Sequence, residues 1–180
     1  MLEWIDYQGL SSGTIAQYNE AMKNALLYKQ QIVFNMDEAL QKKEFEIWLQ
    51  PQYNHVTGAI IGAEALVRWK RKGKYIPPAK FIRLFEESGF IYQMDKFVWE
   101  GVCALLRKWM DEGREPLPLS VNMSRKDILH ENFMDTFIGL AKKYKIPPEL
   151  LRVEITESAL TESESKVRAN INELIRLGYT

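Results

Sequence analysis

This sequence has one cysteine, two histidines and no net charge, and each of these features makes some classes of protein less probable. Cys103 is the only cysteine among 180 residues, so no internal disulfide can form, which is typical of a reducing compartment. Neither His55 nor His130 has a cysteine or a second histidine at metal-binding spacing, and we interpret both as surface residues. The 24 basic and 24 acidic residues balance, which gives no indication of binding to a nucleic-acid polymer.

Long apolar runs are also missing. No segment is long and apolar enough to cross a bilayer, and no charged start followed by an apolar core resembles a signal peptide. Neither a Walker loop nor a Rossmann glycine pattern occurs. We therefore expect this chain to be soluble and cytoplasmic, with no membrane segment of its own, and a longer parent protein with a further domain is compatible with this composition.

The N-terminal quarter predicts one long helix. From about Ile15 to Lys43 there is neither proline nor glycine, and apolar residues recur at helical spacing. Two interpretations stay open: a helix that packs on its own domain, or a connector from an upstream domain. We take residues 1–44 as a lead-in and connector helix, and residues 45–180 as a separate domain.

The remainder alternates between strand and helix patterns. We predict strands at 45–50, 59–69, 117–123 and 151–156, and helices opening at Pro77-Pro78 and covering 95–112, 127–144 and 161–177. The basic segment Lys70 to Lys74 is predicted to be a turn, and Tyr179-Thr180 to begin another strand. From Leu117 onward, the strand–helix order predicts parallel strands joined by right-handed crossovers. The five tryptophans mostly fall on apolar stripes and are interpreted as core residues.

Each predicted strand has one apolar face and one mostly polar face, because side chains alternate along a strand. The polar faces carry Glu46, Trp48, Gln50 and Gln52; Gly62, Glu64, Leu66 and Arg68; Ser120, Asn122 and Ser124; and Arg152, Glu154 and Thr156. An open sheet with water on one side would explain this pattern, and so would a barrel with a polar site inside. Three of these side chains lie late in their strands, where ligand sites of barrels and parallel sheets collect.

These three side chains are Glu64, Asn122 and Glu154, and they predict a metal site. Two carboxylates and a carboxamide that converge would repel each other without a cation. All three offer hard oxygen donors, which suit Mg²⁺, Mn²⁺ or Ca²⁺ better than zinc. Taken singly, each is better explained as an ordinary polar side chain, so the prediction depends on all three meeting.

Five local motifs, in order, resemble the EAL domain family of cyclic di-GMP phosphodiesterases. They are LQPQY at 49–53, GAEALVRW at 62–69, IPPAKFI at 76–82, SVNMS at 120–124 and VEITES at 153–158. The resemblance runs from about Phe45 to the C-terminus. More weakly, residues 1–44 resemble the helical connector that often follows a GGDEF cyclase domain, so the parent protein is expected to carry an upstream GGDEF or sensor domain.

The resemblance implies an α/β fold, an incomplete TIM-like (β/α) barrel of about four strands that hydrolyses cyclic di-GMP to linear pGpG with Mg²⁺ or Mn²⁺. Carried over by position, Glu64, Asn122 and Glu154 are metal ligands, and Arg68 contacts a substrate phosphate. Without the resemblance, Arg68 would be interpreted as a surface cation. Gln50 and Leu66 line the nucleotide pocket, and Glu157 supports a neighbouring loop from behind the ligands.

The sequence also departs from the family pattern. The next family strand carries an Asp-Asp-Phe-Gly-like motif, and later strands supply a lysine, a glutamate and a glutamine; the 180 residues contain none of these. We therefore expect this chain alone to be inactive and its parent domain to be active. The alternatives are a non-catalytic module that binds cyclic di-GMP, or an oligomerisation module. Open sheet edges also predict a homodimer or higher assembly formed by strand pairing.

Overall fold

The computed structural model describes residues 20–155 and 165–180. By contacts the chain divides into two compact units, residues 1–35 and residues 36–180. Helix α1 spans Glu20–Gln41, within the segment predicted to be helical. Among the described residues, no helix combines the length and hydrophobicity that crossing a membrane requires.

The second unit is built on one mixed sheet. Its strands are β1 (Phe45–Tyr53), β2 (Ile60–Arg71), β3 (Lys74–Ile76), β4 (Leu119–Met123) and β5 (Leu151–Ile155). The order is β1-β2-β4-β5, with β3 paired to β2. Strands β4 and β5 are parallel, as predicted from Leu117 onward, and β2 is parallel to β4 as well, whereas β1 and β3 run antiparallel to β2. Over the described residues the sheet does not close, so the predicted incomplete barrel is confirmed.

Two boundaries of the predicted strands were wrong. Strand β1 does not end at Pro51 but continues to Tyr53, and the proline is tolerated because β1 pairs on one side only among the described strands. The basic turn is also shorter than predicted, since β2 extends to Arg71 and β3 starts at Lys74. Lys72 and Gly73 alone make this turn, with φ of 49° and 77°, the left-handed pair that a two-residue hairpin requires.

The helices of the second unit follow the strands. They are α2 (Ile82–Ser88), α3 (Ile91–Asp111), α4 (Arg125–Leu129), α5 (Phe133–Lys143) and α6 (Ser165–Arg176). Short 3₁₀ turns at Pro78–Lys80 and Pro148–Leu150 precede α2 and β5. The predicted helix start near Asp95 was wrong: α3 begins at Ile91, because Phe90 and Ile91 are buried and extend its apolar stripe.

The single helix predicted from Asp127 to Tyr144 is two helices. Helix α4 starts earlier because Ser124 caps it: the Ser124 hydroxyl accepts a hydrogen bond from Asp127 N, and the Asp127 carboxylate accepts one from Ser124 N. The helix stops at His130, whose backbone is extended (φ −60°, ψ 136°). His130 Nδ1 then accepts a hydrogen bond from Asn132 N, and α5 starts at Phe133.

The core lies between the sheet and the helices. On the helix-covered face, Ala65, Val67 and Trp69 of β2 are buried while their neighbours on the opposite face are partly exposed. Two aromatic clusters fill this layer. One comprises Phe45, Trp69, Phe81, Phe85 and Phe90, and the other Trp99, Phe133 and Phe137. Cys103 lies here too, and burial raises the pKa of its thiol to about 12, so it behaves as a small hydrophobe.

The predicted strand beginning at the last two residues finds partial support. The backbone N–H of Val153 in β5 donates a hydrogen bond to the carbonyl oxygen of Thr180 at 2.8 Å. The Thr180 backbone therefore lies beside β5, on the side opposite β4. The capping box predicted from Thr161 and Glu164 falls outside the described residues.

Candidate functional site

The polar side chains predicted to share a face do share it. Gln50 lies opposite Glu64 across the β1–β2 pair, Glu64 opposite Ser120 across β2–β4, and Asn122 opposite Glu154 across β4–β5. Since residues directly opposite each other in paired strands point to the same face, these side chains all project away from the helix-covered core. The polar face of the sheet is therefore one continuous surface.

Glu64 and Asn122 are in direct contact on this surface. Asn122 Nδ2 donates a hydrogen bond to Glu64 Oε1 at 2.7 Å. The backbone oxygen of Asn122 accepts a hydrogen bond from the indole N–H of Trp99 at 3.3 Å, which ties this end of β4 to helix α3. An amide that donates through its nitrogen keeps its carbonyl oxygen available as an acceptor or a metal ligand.

Glu154 is held from the opposite side of the surface. Its Oε1 accepts a hydrogen bond from Gln52 Nε2 at 3.1 Å, although β2 and β4 lie between the two strands. Three strand spacings of a flat sheet would separate these backbones by about 14 Å, beyond the reach of two such side chains. The sheet is therefore strongly curved, with the polar surface on its concave side.

Gly62 leaves space on the concave side of β2, where the Gln52 side chain reaches across toward Glu154. A Cβ at this position would stand 2.8 Å from the carbonyl oxygen of Pro118, 3.3 Å from Arg152 Nη1 and 3.4 Å from Gln52 Oε1. A side chain here would collide with the backbone before β4, would press on the end of the Arg152 side chain and would reach contact distance of Gln52. The glycine therefore allows the residues from the outer strands to meet.

Arg68 and Leu66 extend the surface toward the end of β2. The Arg68 guanidinium donates to the backbone oxygen of Val67 at 3.0 Å, and its Cζ lies 5.6 Å from the ring centroid of Trp48. Leu66 lies opposite Trp48 and is partly exposed, as is Arg68. Both residues thus lie on the same face of β2 as Glu64 and are partly exposed there.

A cavity of about 300 Å³ opens at this end of the sheet. Its polar lining includes Glu64, Arg68, Asn122 and Ser124, and helices α2 and α3 supply apolar side chains. The late residues of β2 and β4 therefore border a concave pocket, the location that ligands favour in parallel α/β folds.

The oxygen donors on the concave surface, Glu64, Asn122 and Glu154, are of the kind that a hard divalent cation prefers. Glu64 and Asn122 are in contact, and Glu154 belongs to the same surface, so carboxylate and amide oxygens are the only ligands that these residues offer. Oxygen donors suit Mg²⁺ or Mn²⁺ rather than zinc. Within residues 20–155 and 165–180, no group of three or more His, Cys, Asp or Glu has metal-binding geometry, so Asn122 is needed to complete a set.

Glu157, predicted to support a loop, lies outside the described residues, as does Thr156. A different acidic pair lies under the pocket: Asp95 of α3 is 7% exposed, and Asp127 of α4 is fully buried. Burial, reinforced by the nearby charge of Asp127, raises the pKa of Asp95 well above its usual range. Asp95 is therefore protonated in conditions where an exposed aspartate is charged.

Sequence reasoning missed several residues of this surface. Gln52 and Arg152 were placed on the correct faces by alternation but were given no role, since their contacts depend on curvature. Trp48 lies on the polar face, as alternation predicted, but the general interpretation of the tryptophans as core residues does not hold for it: Trp69 and Trp99 are fully buried, whereas Trp48 is 48% exposed. Its position two residues before Gln50 was the available signal.

Two known bacterial proteins are similar to this chain in sequence. YkoW of Bacillus subtilis, a signaling protein, is 31% identical over 142 residues, covering 78% of this chain and 18% of YkoW. MucR of Pseudomonas aeruginosa, a bifunctional diguanylate cyclase and cyclic di-GMP phosphodiesterase, is 27% identical over 161 residues, covering 88% of this chain and 24% of MucR.

A solved structure of the PaMucR phosphodiesterase in complex with cyclic di-GMP superposes with a TM-score of 0.77 at 27% identity, covering 83% of this chain and 61% of that one. The chain thus spans only part of the length of the relatives that it matches. The family model of the EAL domain matches residues 15–180. The chain belongs to the EAL domain family.

Proposed function

We propose that this chain forms part of a metal-dependent cyclic di-GMP phosphodiesterase that yields linear pGpG. The observation that carries the proposal is the contact between Glu64 and Asn122, on the concave surface that also presents Glu154 and Arg68. The membership of the EAL family and the likeness to MucR support the choice of cyclic di-GMP as the ligand.

The residues divide the work between the cation and the dinucleotide. Glu64, Asn122 and Glu154 would hold Mg²⁺ or Mn²⁺, which screens the phosphodiester and lowers the pKa of a bound water. Gln52 orients Glu154 by donating to one of its oxygens and leaves the other oxygen for a ligand. Arg68 matches two phosphate oxygens with its guanidinium fork, while Gln50 and Leu66 border the nucleotide.

We further propose that the 180-residue chain on its own binds the dinucleotide without hydrolysing it. Two adjacent metals clamp the attacking and leaving oxygens in many phosphodiester hydrolases. The described residues of this surface offer one set of oxygen ligands that includes Asn122, and no group of three or more His, Cys, Asp or Glu among the described residues could hold a second ion. We therefore expect this chain to bind cyclic di-GMP without hydrolysing it.

Calorimetry tests the binding proposal directly. Cyclic di-GMP is titrated into the chain with and without Mg²⁺ or Mn²⁺, and then into Glu64→Gln, which keeps the shape but removes the charge. Removing a charged ligand is expected to weaken metal-dependent binding about 10- to 100-fold. Glu131→Gln, an exposed glutamate away from this surface, is the matched control. Equal binding by Glu64→Gln and the control would refute the site.

Chromatography of the products tests the second proposal. The 180-residue chain with Mn²⁺ is expected to leave cyclic di-GMP intact, whereas a longer chain that includes further family strands is expected to release pGpG. Hydrolysis by the 180-residue chain would contradict the proposed separation of binding from turnover.

A further inference from the structure

Trp48 lies at the pocket end of the sheet because of the direction of its strand. Strand β1 is antiparallel to β2, so its first residues lie beside the last residues of β2, with Glu46 opposite Arg68 and Trp48 opposite Leu66. The side chain is 48% exposed, whereas Trp69 and Trp99 are fully buried. A large apolar ring thus faces the open concave side within the residues predicted to bind a ligand.

The ring of Trp48 is fixed in orientation by two neighbours. Its indole N–H donates to Glu46 Oε2 at 3.0 Å, and the Tyr75 hydroxyl donates to the same oxygen at 2.9 Å. The Trp48 and Tyr75 rings also meet edge to face, with centroids 5.4 Å apart and planes at 75°. Hydrogen bonds to Glu46 lower the pKa of its carboxyl, first from Trp48 and then from Tyr75, so this anchor stays ionised. We call Trp48, Tyr75 and Glu46 the aromatic shelf.

Cations border the aromatic shelf. The Arg68 guanidinium carbon is 5.6 Å from the Trp48 ring centroid, and Lys70 Nζ is 5.5 Å from that of Tyr75. A flat apolar ring beside a guanidinium matches a ligand that joins a planar aromatic group to a phosphate, because one part stacks while the other pairs with the charge. A nucleotide has this combination.

The size of the cavity leads to the same conclusion. Its volume of about 300 Å³ lies at the lower limit for sites that enclose a small organic ligand. A whole dinucleotide is larger than this cavity, and Trp48 is not among the residues that line it, so a base on Trp48 would lie outside the cavity, over the open surface. The exposed ring of Trp48 is the apolar surface next to Arg68 on that side.

We propose that Trp48, held by Glu46 and Tyr75, is a base-binding residue on which one guanine of cyclic di-GMP stacks. This inference rests on the proposed function and adds to it the residue that receives the base. Glu46 and Tyr75 act as positioning residues, since they orient the indole ring and do not need to touch the ligand.

Binding and fluorescence measurements on the full 180-residue chain test the role of Trp48. Cyclic di-GMP is titrated into the unsubstituted chain, Trp48→Phe and Trp48→Ala, with Ca²⁺ present because it accepts the same oxygen ligands. Base–aromatic stacking predicts that Trp48→Ala raises the Kd about 5- to 100-fold, while Trp48→Phe changes it about threefold or less. Tyr53→Ala, which removes another exposed aromatic residue of β1, is the control and leaves the Kd unchanged.

Tryptophan emission distinguishes stacking from a general loss of structure. Ligand is expected to quench the unsubstituted chain, and this quenching is lost in Trp48→Phe although binding persists. If Trp48→Ala binds as tightly as the unsubstituted chain while Arg68→Ala binds more weakly, the aromatic shelf is refuted and the proposed function stands. If the unsubstituted chain binds no cyclic di-GMP at all, both are refuted.

Discussion

Gln52 and Glu154 are joined by a hydrogen bond of 3.1 Å, although 102 positions separate them in the chain and two strands separate them in the sheet. The bond connects the first and last strands of the described sheet across its concave side. It therefore reports the curvature on which the candidate site depends, and it gives a direct way to test that curvature.

Replacing either partner of this bond is expected to destabilise the fold by a similar amount. A hydrogen bond to a charged acceptor contributes about 1.5–3 kcal/mol, and partial exposure places this one near the lower value. We expect Gln52→Ala to lower the free energy of unfolding in urea by about 1–2 kcal/mol. A double-mutant cycle with Glu154→Ala should return a coupling energy of at least about 0.5 kcal/mol, and full additivity would contradict the contact.

Adding one methyl group at Gly62 is expected to disturb the crossing point. The new Cβ would lie 2.8 Å from the backbone oxygen of Pro118, which cannot move aside as a flexible side chain would. Gly62→Ala should therefore cost about 1–3 kcal/mol of stability in chemical denaturation. Gly139→Ala is the control, because a Cβ there meets nothing within 4 Å and a helix favours alanine by up to about 1 kcal/mol. Equal effects at both positions would contradict this explanation.

The raised pKa of Asp95 predicts a pH-dependent stability. An unfolded aspartate loses its proton near pH 4, whereas buried Asp95, close to the negative charges of Asp127 and Glu86, keeps its proton to higher pH. The folded state then binds more protons than the unfolded state, so stability falls as pH rises above about 4 toward the raised pKa. Asp95→Asn should flatten the decrease of Tm between pH 4.5 and pH 8.

Exposed Asp37 supplies the control for that experiment, and Asp37→Asn should leave the pH profile as it is in the unsubstituted chain. An Asp95→Asn profile that overlays the unsubstituted one would mean that Asp95 titrates as an ordinary aspartate.

The ion pair at the start of β1 is expected to stabilise the fold more than a surface pair does. Arg71 Nη1 contacts both carboxylate oxygens of Glu44 at 2.8 and 2.7 Å, and Trp69 Nε1 donates to Glu44 Oε2 at 3.0 Å. The two charged side chains are only 18% and 17% exposed. Glu44→Gln should lower the free energy of unfolding by about 1–2 kcal/mol, an intermediate value between exposed and buried pairs.

The exposed pair of Glu173 and Arg176 gives the comparison, with side chains that are 40% and 69% exposed. Glu173→Gln should change stability by less than about 0.5 kcal/mol. A larger loss for Glu173→Gln than for Glu44→Gln would reverse the expected order.

The alternation of polar and apolar residues along the strands was the sequence feature that predicted most about the site. Glu64, Leu66 and Arg68 share one face and Ala65 and Val67 the other, because burial of one side of β2 enforces a strict period of two. The parallel order of β2, β4 and β5 then brings Asn122 beside Glu64. Local pattern and crossover rules together were sufficient for this part.

Features that depend on distant contacts were not predictable in the same way. Asp95 was predicted to lie near a helix start, yet it lies inside α3, because the helix begins at buried Ile91. The raised pKa of Asp95 depends on burial and on Asp127 of α4, which is distant in sequence. The break at His130 goes with an extended backbone there and with the hydrogen bond from Asn132 N to His130 Nδ1, and neither is visible in the apolar pattern. Alternation placed Trp48 on the polar face, but its hydrophobicity gave no indication that the ring is 48% exposed there.

The reversed direction of β1 also has a consequence for folding. The pocket end of the sheet combines the beginning of β1 with the ends of β2, β4 and β5, so its residues come from opposite extremes of the second unit. Closing so long a loop costs entropy that only late, non-local contacts repay. We therefore expect the concave surface to be among the last parts of the sheet to assemble, with the pairing of β5 completing it.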